Sequence, residues 1–125
     1  MRLLLDTHVL LWWLADDPAL GEHGRELIST PENLIFFSAA SVWEIRIKQG
    51  IGKLDLPADF AEALAGQAFE PLAVNVAHAH AVRELPLLHR DPFDRVLIAQ
   101  ARLERLTILA RDQVIAQYDV PTVLA

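Results

Sequence analysis

Cysteine is absent from the 125 residues. Its absence removes a disulfide framework, a thiolate metal site and a cysteine nucleophile, and it is compatible with the reducing cytoplasm. Long hydrophobic runs are also lacking, and Leu3-Leu4-Leu5 is cut by Asp6 before a signal-peptide core can form. A soluble, cytoplasmic protein with no membrane association is therefore expected. Positive charge is scarce as well. The 11 Lys and Arg against 17 Asp and Glu leave a formal net charge of -6. That balance excludes the usual basic surface for sequence-specific DNA binding by this chain alone. It does not exclude chemistry on nucleic acid, because acids gathered around a cation count as negative in a bare tally. Arg46, Lys48, Lys53, Arg90, Arg95 and Arg111 lie close in sequence to such acids. No internal repeat, low-complexity tract or linker divides the chain, and 53% hydrophobic residues suffice for one domain over residues 1–125.

The apolar pattern predicts short strands alternating with helices. Arg2 to Leu5 is apolar on consecutive positions, as in a parallel strand covered on both faces, and Leu34 to Phe37 repeats the pattern. Further strands are expected at Glu70 to Val74, Thr107 to Leu109 and Val120 to Val123. Helices are expected at His8 to Ala15, around Leu20 to Ile28, at Ser38 to Lys48, from Pro57 through Leu64, after Asn75 and after Asp91, with a short one from Asp112 through Tyr118. This is an α/β fold with a central, mainly parallel sheet of about five short strands flanked by helices. Ligands of such sheets bind beyond the carboxyl ends of the strands.

Acidic residues recur at those ends. Asp6 follows the first strand, Glu44 lies six residues after Ser38, Asp94 stands in the turn Asp91-Pro92-Phe93-Asp94, and Asp112 follows the Thr107 strand. Each has an ordinary explanation: Asp6 and Asp112 suit helix N-caps, Asp94 a first-turn acid, and Ser41-x-x-Glu44 a capping box. Their conjunction points further, since carboxylates crowded into one cleft repel unless a cation joins them. All-oxygen ligation suits Mg2+ or Mn2+, ions that bind phosphates. Asp6 and Asp94 are expected to bind the principal ion, with Glu44 and Asp112 acting through water or completing a second site. Arg46, Lys48 or Arg95 are expected to hold flanking phosphates.

The segments Leu4-Leu5-Asp6-Thr7-His8, Ser38-Ala39-Ala40-Ser41-Val42-Trp43-Glu44-Ile45, Gly52-Lys53-Leu54 and His89-Arg90-Asp91-Pro92-Phe93-Asp94-Arg95, with the Asp112 turn, resemble the PIN-domain motifs of VapC-type toxins. The resemblance spans essentially the whole chain in order. It implies a PIN-like fold, a Mg2+ or Mn2+ dependent endoribonuclease acting on RNA, a cognate antitoxin that blocks the active-site groove, and a homodimer. Carried over by position, Asp6, Glu44, Asp94 and Asp112 form the acidic set, with Thr7 or Ser38 assisting. Ala110 stands where such proteins often place a hydroxyl residue.

Other readings are weaker. A phosphoacceptor receiver domain wants paired acids after the first strand and a late lysine, but no lysine follows Lys53. A haloacid-dehalogenase-like phosphatase wants an aspartate at position 8, which is His8. A metal-free ribonuclease using Arg83 and His89 normally needs an all-helical scaffold. A catalytically silent binding module of the same fold is a further alternative. His78 and His80, two apart on a helix, do not share a face for zinc. His89 is expected to be a hydrogen-bonded loop histidine. Trp12, Trp13 and Trp43 suit a core or a subunit interface, or stacking on exposed bases.

Overall fold

Strand β1 (Arg2–Leu5) is apolar at consecutive positions because both of its faces are covered. A computed structural model describing residues 1–125 places Leu3 and Leu5 in one core with Val9, Leu10, Ile35, Ile45 and Leu109. Leu4 points the other way, against Leu97, Ile98, Ile108 and Ile115. Each of the three leucines is fully buried, which stabilises the fold by roughly 1.5–3 kcal/mol per side chain.

Around β1 lie β2 (Leu34–Ser38), β3 (Glu70–Leu72), β4 (Thr107–Ala110) and β5 (Thr122–Leu124), in the spatial order β3-β2-β1-β4-β5. Every neighbouring pair is parallel, with Leu3 opposite Ile35 and Leu5 opposite Leu109. The expected α/β class and five short strands are thus observed. The chain builds outward from β1 on one side, then crosses to build on the other. The order therefore reverses between β1 and β4, and the crevice of an open α/β sheet belongs there. A receiver domain would instead run 2-1-3-4-5.

Six helices flank the sheet: α1 (Thr7–Leu14), α2 (Glu22–Ser29), α3 (Ala39–Gly50), α4 (Phe60–Ala65), α5 (Val76–Ala81) and α6 (Pro92–Glu104). The core residues of α1 to α4 belong to the Leu3 side, whereas α6 packs Leu97, Ile98 and Ala101 on the Leu4 side. Helix α6 starts where its sequence dictates: Asp91 Oδ1 accepts the Phe93 N–H at 2.9 Å, and Pro92 occupies the first turn. It stops at Arg105, which is left-handed (φ 56°), while the Leu106 N–H returns to the Ala101 carbonyl at 2.8 Å.

Three elements differ from expectation. Helix α4 begins at Phe60, after a turn in which the Pro57 carbonyl accepts the Phe60 N–H at 3.1 Å. The segment after Asp112 forms only a 3-10 turn, Ile115–Gln117, because burying Ile115 and Tyr118 three residues apart suits the tighter spacing. Ser41 caps nothing: Ser38 is the N-cap of α3, accepting the Ala40 N–H at 3.0 Å. No helix is long and apolar enough to cross a membrane.

Candidate metal centre

Asp6 leaves β1 and caps α1. Its Oδ1 accepts the Val9 N–H at 2.8 Å, its Oδ2 accepts the Arg111 N–H at 3.0 Å, and the residue is only 2% exposed. Burial nevertheless holds the Asp6 carboxyl above the ordinary aspartate range, against the opposing pull of the two N–H donors and His8, with Glu44 adding to the rise.

Asp94 stands in the first turn of α6, where the helix dipole favours an anion. Its carboxyl is still pushed up to about 7. Burial is the largest cause, followed by the neighbouring Asp91 charge; Asp6 and Glu44 add to it, and His89 opposes.

Glu44, on α3, is 2% exposed. Lys48, one turn on, places Nζ 2.6 Å from its Oε2, and this bond raises the Lys48 ammonium above its ordinary range. The second oxygen, Oε1, is buried without a hydrogen-bond partner. An unpartnered buried carboxylate oxygen is costly, so something other than the chain must satisfy it.

Asp112 lies on the exposed turn after β4. Its Oδ1 accepts the Val114 N–H at 2.9 Å, and its Oδ2 lies 3.2 Å from Nε2 of His89. The same Nε2 lies 2.8 Å from Asp94 Oδ2. Asp6, Asp94 and Asp112 line one cleft of about 490 Å³ with His8, Arg111 and Gln113, none of them apolar. Glu44 does not line this cleft, although its charge is felt at both Asp6 and Asp94. The donor set fits a hard divalent cation: oxygen-rich, mutually repelling, and with one orphaned buried oxygen.

A PIN domain model matches residues 3–121. The chain belongs to the PIN domain family. Among solved structures, a chain of VapBC2 from Rickettsia felis bound to a DNA fragment from its promoter superposes with a TM-score of 0.76 at 16% identity, covering 99% of this chain and 98% of that one. DNA-bound VapBC from Salmonella typhimurium gives 0.71 at 14% identity over 99% and 98% of the two chains. FitAcB from Neisseria gonorrhoeae gives 0.65 at 19% identity over 96% and 95%. At these identities the likeness is one of fold. No curated protein matches the sequence.

In this PIN domain the remaining expected residues divide. The Thr7 hydroxyl donates to Ser41 Oγ at 2.9 Å, pinning α1 to α3, and Ser38 is engaged as the α3 cap. Lys48 is held at Glu44. Arg46 lies elsewhere, over the Phe60 ring at 5.1 Å and bonded to Gln49, because two residues along a helix turn it away from the Glu44 face.

Arg95, expected at a phosphate, is turned inward. Its guanidinium donates to the carbonyls of Val82, Leu85, Pro86 and His89 at 3.0–3.4 Å, and lies 3.4 Å from the Tyr118 hydroxyl. Five donors on a planar fork suit a loop rich in unpaired carbonyls. His78 is buried at the start of α5, where Nδ1 accepts the Asn75 N–H at 3.1 Å in a capping box. Arg83 does not line the cleft, and the scaffold is α/β, so the metal-free alternative lacks its framework.

Sequence reasoning passed over His89 as a loop histidine and Asp91 as a cap alone. The spacing His89-x4-Asp94 was the available signal; what it lacked was any hint that Asp112 would lie beside both.

Proposed function

We propose that this PIN domain is a VapC-type toxin, a Mg2+ or Mn2+ dependent endoribonuclease neutralised by a cognate antitoxin. The observation that carries the reading is the cleft uniting Asp6, Asp94 and Asp112, together with the orphaned Oε1 of Glu44, whose charge acts on Asp6 and Asp94. Asp6 and Asp94 would hold the principal ion, with Asp112 and Glu44 completing its surroundings. Once bound, such an ion acidifies water and neutralises charge on a phosphodiester. The chain's own part is to keep Asp6, Asp94 and Asp112 on one cleft, with the Glu44 charge acting on two of them and Lys48 paired to Glu44. Water as nucleophile makes the 2'-hydroxyl unnecessary to the chemistry, so preference for RNA rests on substrate shape.

The antitoxin partner is supported by the neighbours in fold, two of which are VapBC assemblies. A cytoplasmic site of action accords with an RNA target and the absence of cysteine. A homodimer is supported by an apolar groove of about 350 Å³ lined by Ala39, Ala40, Trp43, Val74, Pro92, Phe93 and Val96. Trp43 is 64% exposed there, and a second copy of the chain would cover it.

The deciding experiment is cleavage of a panel of structured RNAs by purified, antitoxin-free protein with Mg2+, with Mn2+ and with excess chelator, alongside Asp94→Asn. Metal-dependent cleavage lost in the variant is expected. Cleavage that survives both chelator and Asp94→Asn overturns the mechanism, and metal binding without cleavage of any RNA favours a silent binding module.

A further inference from the structure

His89 has no task in the carboxylate chemistry as stated, yet its ring stands between two of the acids. Its Nδ1 accepts the Asp91 N–H at 3.2 Å. In a neutral imidazole that bond places the ring proton on Nε2. Nε2 then has no free lone pair, so His89 in this orientation is no metal ligand, although it is grouped with Asp94 and Asp112 in space.

The Nε2–H instead faces two acceptors, Asp94 Oδ2 at 2.8 Å and Asp112 Oδ2 at 3.2 Å. Neither oxygen lies in line with the N–H, so the attraction is electrostatic and shared between them. Both carboxylates keep lone pairs for a cation. The ring is held from behind, since the His89 N–H donates to the Tyr118 hydroxyl at 2.7 Å and its carbonyl accepts from Arg95 at 3.4 Å. Asp94 is fixed by α6, whereas the Asp112 side chain, 45% exposed on a turn, is held otherwise only where its Oδ1 accepts the Val114 N–H, and its Oδ2 meets only His89.

We propose that His89 is a positioning residue that holds Asp112 to Asp94 through its Nε2–H, setting the spacing at which the two carboxylates share a cation. This inference rests on the carboxylate reading of the site. It gives the loop clamp a purpose: Arg95 and Tyr118 hold the backbone that aims the imidazole. Residues that orient metal ligands from behind typically contribute 10–100-fold to metal affinity.

The test is Mn2+ calorimetry on the full chain for wild type, His89→Ala, His89→Gln, Asp112→Asn and the His89→Ala/Asp112→Asn double variant. The expected result is a roughly 10-fold weaker Mn2+ affinity for His89→Ala. Gln, which keeps an N–H donor, should recover part of it, and His89→Ala should add little in the Asp112→Asn background. Wild-type affinity in His89→Ala, or independent losses at the two positions, overturns the proposal. The same four-way cycle is repeated as urea unfolding in chelator. If wild type binds no Mn2+, the metal reading falls, and the unfolding cycle still decides His89: coupled losses support the tie to Asp112, additive losses refute it. Should His89→Ala not fold, His89→Phe supplies a ring of similar shape without the N–H.

Discussion

The Asp6 carboxylate accepts the backbone N–H of Arg111, a residue 105 positions away, at 3.0 Å. Its other oxygen caps α1 at the Val9 N–H. One side chain thus fixes the end of β1, the start of α1 and the turn that carries Asp112. The candidate metal centre is assembled in part by its own acids, and this separates what each acid does for the fold from what it does for a cation.

Asp6→Asn tests that separation. An amide keeps one acceptor and turns an NH2 toward the second backbone N–H, leaving a buried donor unpaired at a cost of about 1–3 kcal/mol. Removing a charge that burial already disfavours offsets this. Urea unfolding should therefore shift by only about 1 kcal/mol, while Mn2+ affinity measured by calorimetry falls more than about 100-fold, beyond the loss expected for an outer partner. Unchanged Mn2+ affinity removes Asp6 from the site.

Without metal, stability should fall as pH rises from about 4 to about 7 through the contribution of Asp94. Its folded-state carboxyl titrates near 7, above the unfolded value of 3.8. In that window the folded chain binds the extra proton, so the stabilisation is present below the unfolded pKa and lost through the folded one. Asp6 acts in the same direction. In chelator, the stability profile of Asp94→Asn should be flatter than that of wild type between these limits. Equal slopes would falsify the assignment.

Cation binding should release protons for the same reason. Below about pH 7 an ion held by Asp94 displaces the proton that burial and Asp91 keep there. Mn2+ calorimetry at pH 6 in buffers of different ionisation heat should show proton release that shrinks at pH 8 and in Asp94→Asn, Asp6 supplying the remainder. Release independent of residue 94 points to another group.

Arg95→Lys should be nearly as damaging as Arg95→Ala. An ammonium cannot reach the Val82, Leu85, Pro86 and His89 carbonyls that the guanidinium spans. A loss of about 2 kcal/mol or more is expected in urea unfolding for both variants. A stable Arg95→Lys protein with weakened RNA binding would return Arg95 to a phosphate role.

Trp43→Arg should leave the monomer folded and prevent self-association. Trp43 is 64% exposed and rests edge-on against Phe93, with ring centroids 5.3 Å apart, so few intramolecular contacts depend on it. Sedimentation equilibrium is expected to give a dimer for wild type and a monomer for the variant. A wild-type monomer at micromolar concentration rules out the homodimer.

Element type and order were legible in the sequence because they depend on neighbours within a turn or two. Leu3-Leu4-Leu5 announces a strand buried on both faces, and Asp91-Pro92 announces a helix start, before any distant residue is known. The PIN resemblance was legible for the same reason, its motifs being local. Local patterns misled where two partners compete: Ser41 matches a capping box with Glu44, yet Thr7 takes its hydroxyl and Ser38 takes the cap.

The sequence by itself determined which acids stand at element ends, that Asp6 and Asp91 open helices and which segments are buried. Only the tertiary structure decided that β4 lies beside β1, and hence that Asp112 comes to His89 and Asp94 while Arg95 turns into a loop of carbonyls. The physical reason is reach. A cap or an apolar period is settled over a few residues of backbone geometry, whereas a contact such as Asp6 to Arg111 exists only after strand order is chosen. Packing of two whole sheet faces makes that choice, and no single residue or local spacing encodes it.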